Sequence, residues 1–195
     1  MLHTPSLLNQ RSNGFTLIEL MVTIAILAVL TVLAVPGFQA MIASSRLTTV
    51  SNDFLATLSQ ARTNAVRIGK RVTVCMSTNG TQCTTTGNWE QGWIVFIDTT
   101  RSGSSANVDT GETIESKGPA LPTGMVMNGN LPYVSFAADG QPKTMTGGFL
   151  AGKIRLCSTS SSLTNDKRAR DFVLNSAGRI SISTPTNIAA TCPAP

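Results

Sequence analysis

The sequence is short of the groups that most enzymes need. It holds one histidine, His3, and the N-terminal stretch that carries it is expected to be cut away. Without that ring no Ser-His-Asp or Cys-His pair can form in what remains. No glycine-rich phosphate loop followed by Lys-Ser/Thr is present. Charged residues make up only 13 % of the chain and hydrophobic ones 42 %, so disorder is excluded as a description of the whole. The four cysteines, Cys75, Cys83, Cys157 and Cys192, are too widely spaced for paired C-x-x-C zinc ligands. Asp98, Asp109 and Glu112 bracket a Gly/Ser/Asn loop, but their spacing fits no EF-hand, and a solvated polar loop is expected. No catalysis, no metal and no cofactor are expected.

What the chain does have is one long apolar run. Phe15 to Val35 reads FTLIELMVTIAILAVLTVLAV, with Glu19 as its one charge. As a helix these residues span about 31 Å, one hydrocarbon core. Residues 1–14 are polar and basic, with Arg11 just ahead of Asn13-Gly14. A secretory signal places its small-residue cleavage site after the apolar run; here Gly14 precedes it, so cleavage keeps the run. The basic residue on the N-terminal side favours a cytoplasmic N-terminus and an exported remainder. A carboxylate inside a membrane helix is costly and normally has a partner. Cleavage after Gly14 would put a new amine on Phe15 one turn from Glu19, able to neutralise it within the subunit or from a neighbour. An ordinary signal anchor with a tolerated acid near the interface is the alternative.

Pro36-Gly37 interrupts the run, and a proline inside a helix removes a backbone hydrogen bond and tends to kink it. Beyond it Leu47, Val50, Phe54, Leu58, Ala61, Ala65 and Ile68 recur at steps of 3 or 4, one helix face. Gly69, with Lys70 and Arg71 beside it, reads as the stop. One helix from about Phe15 to Ile68 is predicted, membrane-spanning over 15–36 and amphipathic over 37–69. After residue 70 short strand-like runs follow: Arg71–Met76, Gly92–Ile97, Tyr133–Ala137, Lys153–Cys157, Asp171–Leu174 and Arg179–Ser183. Thr99–Thr113 reads as a long polar loop, and Trp89 and Trp93 as core anchors. The expected fold class is α+β, a long helix laid on antiparallel sheet, with 70–195 as a β-rich domain. An even cysteine count behind a membrane segment suits disulfides in an oxidising compartment. Cys75–Cys83 is the simplest pairing, leaving Cys157–Cys192 to pin the tail, though four cysteines permit three connectivities.

Gly14-Phe15-Thr16-Leu17-Ile18-Glu19-Leu20 resembles the prepilin peptidase site of type IV pilins and type II secretion pseudopilins. The resemblance implies that residues 1–14 are a leader cut off on the cytoplasmic side and that Phe15 is then N-methylated. It implies too that Glu19 helps subunit addition by pairing with another subunit's N-terminal amine. Further along, Ser59–Val66 (SQARTNAV), Val72–Cys75 (VTVC), Gly92–Asp98 (GWIVFID), Ile154–Cys157 (IRLC) and Asn175–Ile180 (NSAGRI) are similar, in that order, to the FimT/FimU minor pilins and the pseudopilin H (GspH) group. That implies a type IV pilin-like fold with two β-sheets on the C-terminal half of the helix. It also implies a single-pass inner-membrane protein with a periplasmic domain, which joins other pilins or pseudopilins in a filament. The expected function is a minor pilin helping type IV pilus assembly, at or near the tip; pseudopilin H of type II secretion is the alternative.

The formal charge is +5, and Lys153, Arg155, Lys167, Arg168, Arg170 and Arg179 gather near the C-terminus. Lys167-Arg168-Ala169-Arg170 lies in or beside a Ser/Thr/Asn-rich loop, where long side chains can reach phosphates. Some FimT-like pilins bind DNA during natural transformation through a C-terminal Gly-Arg-x-Arg motif. Gly178-Arg179-Ile180-Ser181 keeps its first arginine and has serine for the second, so the resemblance carries over only in part. A DNA-uptake receptor for double-stranded DNA is therefore a third reading. With Phe172 the only aromatic nearby, binding would be weak, sequence-independent and salt-sensitive. The alternative is a solubilising face at Arg168 and Arg170 and a hairpin turn at Gly178-Arg179.

Overall fold

The computed structural model describes residues 14–195; the leader reading for 1–13, with His3 and Arg11, lies outside the described residues. The chain falls into two compact units, one ending at Phe38 and the other Gln39–Pro195. Helix α1 runs from Leu17 to Ile68. Pro36 lies inside it, and its missing N–H removes one bond from a helix of 52 residues. Thr23 and Thr31, polar residues in the apolar part, donate their hydroxyls to the carbonyls of Leu20 and Ala28 at 2.8 Å. Gly69 ends the helix at φ +66, the left-handed turn that glycine adopts without strain. In the first unit the described side chains from Phe15 to Phe38 are exposed. By length and composition this part of α1 can cross a membrane.

In the second unit eight strands form two antiparallel sheets. One has the order β3-β2-β1-β5, from β1 (Val72–Met76), β2 (Trp93–Ile97), β3 (Thr113–Gly118) and β5 (Tyr133–Phe136). The other has the order β4-β6-β7-β8, from β4 (Met125–Gly129), β6 (Gly152–Ser158), β7 (Ala169–Leu174) and β8 (Ile180–Ser183). Two of these were not expected. β3 (TIESKG) is exposed along most of its length and shows no alternation, and β4 (MVMNG) has a single β-branched residue, Val126, and ends in Asn128-Gly129, which strands disfavour. Pairing partners, Ile114 opposite Phe96 and Met127 opposite Leu156, decide both.

The core is organised by the stripe on α1. Leu47, Phe54, Leu58, Ala61 and Ala65 are buried, and Phe54 meets three aromatic rings edge-on. Its centroid lies 5.3 Å from Trp89, 5.1 Å from Trp93 on β2 and 5.0 Å from Phe172 on β7. One side chain thus touches both sheets. Trp89, in a 3-10 turn before β2, also donates its indole N–H to Leu131 O at 2.7 Å, so its polar end is satisfied. All five residues of β1 are buried, which requires cover on both faces. Alternation puts Val72, Val74 and Met76 on one face and Thr73 and Cys75 on the other. Loops roof the second face: Cys83 is disulfide-bonded to Cys75, and Gln82 exchanges hydrogen bonds with the backbone of Val108.

The tail is strapped to the β4-β6-β7-β8 sheet. Cys157 is bonded to Cys192, and Cys157, Ala169, Ile188 and Cys192 form a small buried cluster of their own. Asn128, Arg155 and Asp171 lie side by side across three strands. Asn128 donates to Cys192 O at 3.2 Å and Arg155 to Pro193 O at 3.0 Å.

Phe54→Ala should lower the unfolding free energy by about 3–5 kcal/mol, more than a single-sheet contact would cost. Urea titration of the full chain in detergent measures it; a loss below about 1 kcal/mol would show that Phe54 does not tie the two sheets together.

Candidate assembly site and nucleic-acid interface

Gly14 and Phe15 stand just before the helix, and Phe15 is 83 % exposed. A Cβ on Gly14 would meet nothing within 4 Å, so the fold itself does not ask for glycine there. Thr16 caps α1: its Oγ1 accepts the N–H of Glu19 at 3.3 Å, and its carbonyl accepts the N–H of Leu20 at 3.2 Å. Glu19 therefore sits in the first turn, three residues after the cap, where the partial positive charge of the helix end favours a carboxylate. Among the described residues its carboxylate has no ion-pair or hydrogen-bond partner. The local sequence Thr-x-x-Glu explains the position; a charge there still needs a cation once lipid surrounds it.

The C-terminal basic residues do not form one surface. Arg168 is 4 % exposed, and its guanidinium donates to the carbonyls of Ser158 at 3.0 Å, Ser160 at 3.2 Å and Leu163. Both expectations for it, phosphate contact and solubilising surface, are corrected: it fastens the loop between β6 and β7 from within. Arg155 is likewise buried, paired with Asp171 at 2.7 and 2.9 Å, and this carboxylate raises its pKa. Arg170 is half-buried and bonds the carbonyl of Ala169 at 2.7 Å. Lys167, Lys153 and Arg179 are exposed. Lys167 precedes β7 and Arg179 follows it, so about 17 Å of strand separates them. Gly178, at φ +82, is buried in the β7–β8 turn, where a Cβ would strike Gly140 O. Arg62 on α1 bonds Gly140 O at 3.0 Å and Ala177 O at 3.2 Å, tying this turn to the helix. The glycine of the partial Gly-Arg-x-Arg match is thus held by packing.

A polar row on the roofed face of the first sheet was not anticipated. Thr73 Oγ1 donates to Asp98 Oδ2 at 2.7 Å and lies 2.7 Å from Ser135 Oγ. Arg71 Nη1 donates to Ser135 Oγ at 3.2 Å and Thr144 O at 3.1 Å. Asp98 is 4 % exposed and its Oδ1 has no partner among the described residues. Burial raises its pKa, and Glu112 adds to this, while the bond from Thr73 opposes it. Burial also lowers the pKa of Arg71, helped by Arg101. The loop reading of the acids after β2 is more specific than expected. Glu112 accepts the backbone N–H groups of Thr99, Thr100 and Asp109 at 2.7–2.9 Å, which orders the loop. Thr73 and Ser135 stand at strand positions and Asp98 directly after β2, but only the pairing of β1 with β2 and β5 brings them together.

The burial of these charges can be measured. Arg168→Ala should destabilise by about 2–3 kcal/mol, because three carbonyls lose their donor. Lys167→Ala should stay within about 0.5 kcal/mol; urea unfolding compares them. Since the folded Asp98 pKa lies above the unfolded one, its contribution is full below the ordinary aspartate value and is lost as pH rises through the folded value. Asp98→Asn should therefore gain stability relative to the parent as pH is raised from about 4. Melting temperatures over a pH series read this; parallel curves would contradict it.

Residues 50–178 match the family described as Type II transport protein GspH, and residues 9–35 match the prokaryotic N-terminal methylation motif. No curated protein matches significantly. The solved type IV minor pilin FimU of Pseudomonas aeruginosa is similar at 17 % identity and a TM-score of 0.51, over 72 % of this chain and 93 % of its own. The minor pseudopilin EpsH of Vibrio cholerae aligns at 11 % identity and a TM-score of 0.45, over 72 % and 98 %. The likeness to FimU is one of fold, a long helix on antiparallel sheets. The family match runs from the stripe of α1 to the β7–β8 turn, and the methylation motif spans the capped helix start. This chain belongs to the GspH family of pilins and pseudopilins, which are filament subunits and not enzymes.

Proposed function

We propose that this chain is trimmed after Gly14 by prepilin peptidase, methylated on Phe15, and added through α1 to a filament of other pilins. Its role there is that of a minor pilin helping type IV pilus assembly, at or near the tip. The observation that carries the proposal is the capped start of α1. Glu19 lies in the first turn, unpartnered among the described residues, at the head of an exposed apolar helix. A mature amine on Phe15, two residues before the helix, supplies the missing cation from the same subunit or the next. Glycine at position 14, which the fold does not require, is explained by peptidase recognition. Before assembly the apolar half spans the inner membrane, with the disulfide-bonded domain in the oxidising periplasm.

A secretion pseudopilin is the second reading, favoured by the family description of residues 50–178. Gene deletion separates the two: loss of surface pili with secretion intact supports the first, and the reverse supports the second. A DNA-uptake role through Lys167, Arg168, Arg170 and Arg179 is weakened by the burial of Arg168 and by the length of β7 between Lys167 and Arg179.

Mass spectrometry of the membrane-extracted protein should show an N-terminus at Phe15 carrying one added methyl group. A chain beginning downstream of Val35 would refute the proposal. Glu19→Val should leave the subunit processed and membrane-inserted but reduce its incorporation into sheared filaments by roughly tenfold, the loss of one ion pair in low dielectric.

A further inference from the structure

A cavity of about 240 Å³ lies at the C-terminal end of α1, lined by Lys70, Arg71, Asp98, Thr99 and Arg101. Three cations face it against one carboxylate, which is buried, with Oδ2 taken by Thr73 and Oδ1 unpartnered among the described residues. Arg71 is held in place through Nη1, which donates to Ser135 Oγ, Lys143 O and Thr144 O. The Thr99 N–H is occupied by Glu112, so the backbone there is set as well. Lys70 and Arg101 are exposed and have no hydrogen-bond or ion-pair partner among the described residues.

We infer that this cavity binds a phosphate group, with Arg71 as its fixed wall and Lys70 and Arg101 closing on it from solvent. Guanidinium groups match a tetrahedral oxyanion through paired N–H donors, and an ammonium adds a compact charge. The bound anion would relieve the mutual repulsion of Arg71 and Arg101, the same repulsion that helps depress the Arg71 pKa. The volume admits a phosphate group with several waters. Asp98 and the nearby Asp139 and Glu112 limit the affinity, and Glu112 is occupied by backbone donors. The same chemistry is offered by free phosphate and by a phosphodiester of DNA. The site is remote in sequence from both the Glu19 turn and the C-terminal basic residues, and it does not depend on the assembly proposal.

The test uses the full chain in detergent. Equilibrium dialysis with inorganic phosphate, and anisotropy with a labelled DNA duplex, are run at fixed ionic strength in chloride. Phosphate should bind saturably, and Arg101→Gln should weaken it by about tenfold, the loss of one charge-assisted contact. Lys70→Gln should act in the same direction, and Lys167→Gln, an exposed cation elsewhere, should change it by less than about twofold. If duplex binding falls with Arg101→Gln, the source is a phosphodiester; if phosphate binding alone falls, the ligand is free phosphate. Absence of saturable phosphate binding, or an equal loss with Lys167→Gln, would overturn the inference. Because Arg101 is exposed and makes no hydrogen bond or ion pair among the described residues, its variant should melt at the parent temperature, and Lys70→Gln gives an independent reading.

Discussion

The globular unit depends on one apolar stripe of α1 being buried against two sheets at once. Neither sheet is self-sufficient: four short strands with one apolar face cannot exclude water from that face alone. Phe54 is where the requirement is met most directly, with rings from β2, from β7 and from the 3-10 turn arranged around it. Lower on the same stripe the small residues Ala61 and Ala65 are buried as well. At its far end Arg62 reaches from beside the stripe to two carbonyls, one in each of two turns. The helix is therefore both the membrane segment's continuation in sequence and the piece around which the domain closes.

Polar groups are handled differently on the two sheets. The first sheet buries its second face under loops, so it holds an internal row of hydroxyls ending in a carboxylate that burial disfavours in its charged form. The second sheet pairs its buried charge, Arg155 with Asp171, and uses the remaining donors of the arginine to hold the chain end. A buried ion pair is weak evidence of stability, since desolvation offsets much of its attraction. Its clearer consequence is geometric: with the Cys157–Cys192 bond it fixes where the tail lies. The basic pI is thus only partly a surface property, because two of the arginines counted toward it are internal struts.

For a filament subunit the chemistry that matters lies in the ends and surfaces of the chain. The N-terminal turn presents an acid with no ion-pair partner among the described residues, and the amphipathic half of α1 presents its stripe inward.

Much was legible in the residues alone. Periodicity in steps of 3 and 4 marked the buried stripe from Leu47 to Ile68 because a helix repeats its face at 3.6 residues whatever lies against it. Six strands showed through their β-branched runs, and the Gly14–Leu20 motif identified the processed, filament-forming class. Three things were decided only in three dimensions. β3 and β4 exist because neighbours supply pairing that their own composition does not demand. Arg168 turned inward because three loop carbonyls needed a donor, a demand that no local pattern records. And Lys167 and Arg179, close in sequence, parted because β7 carries the chain about 17 Å between them. Local order writes itself into sequence spacing; which face a charge ends on depends on what the rest of the chain leaves unsatisfied.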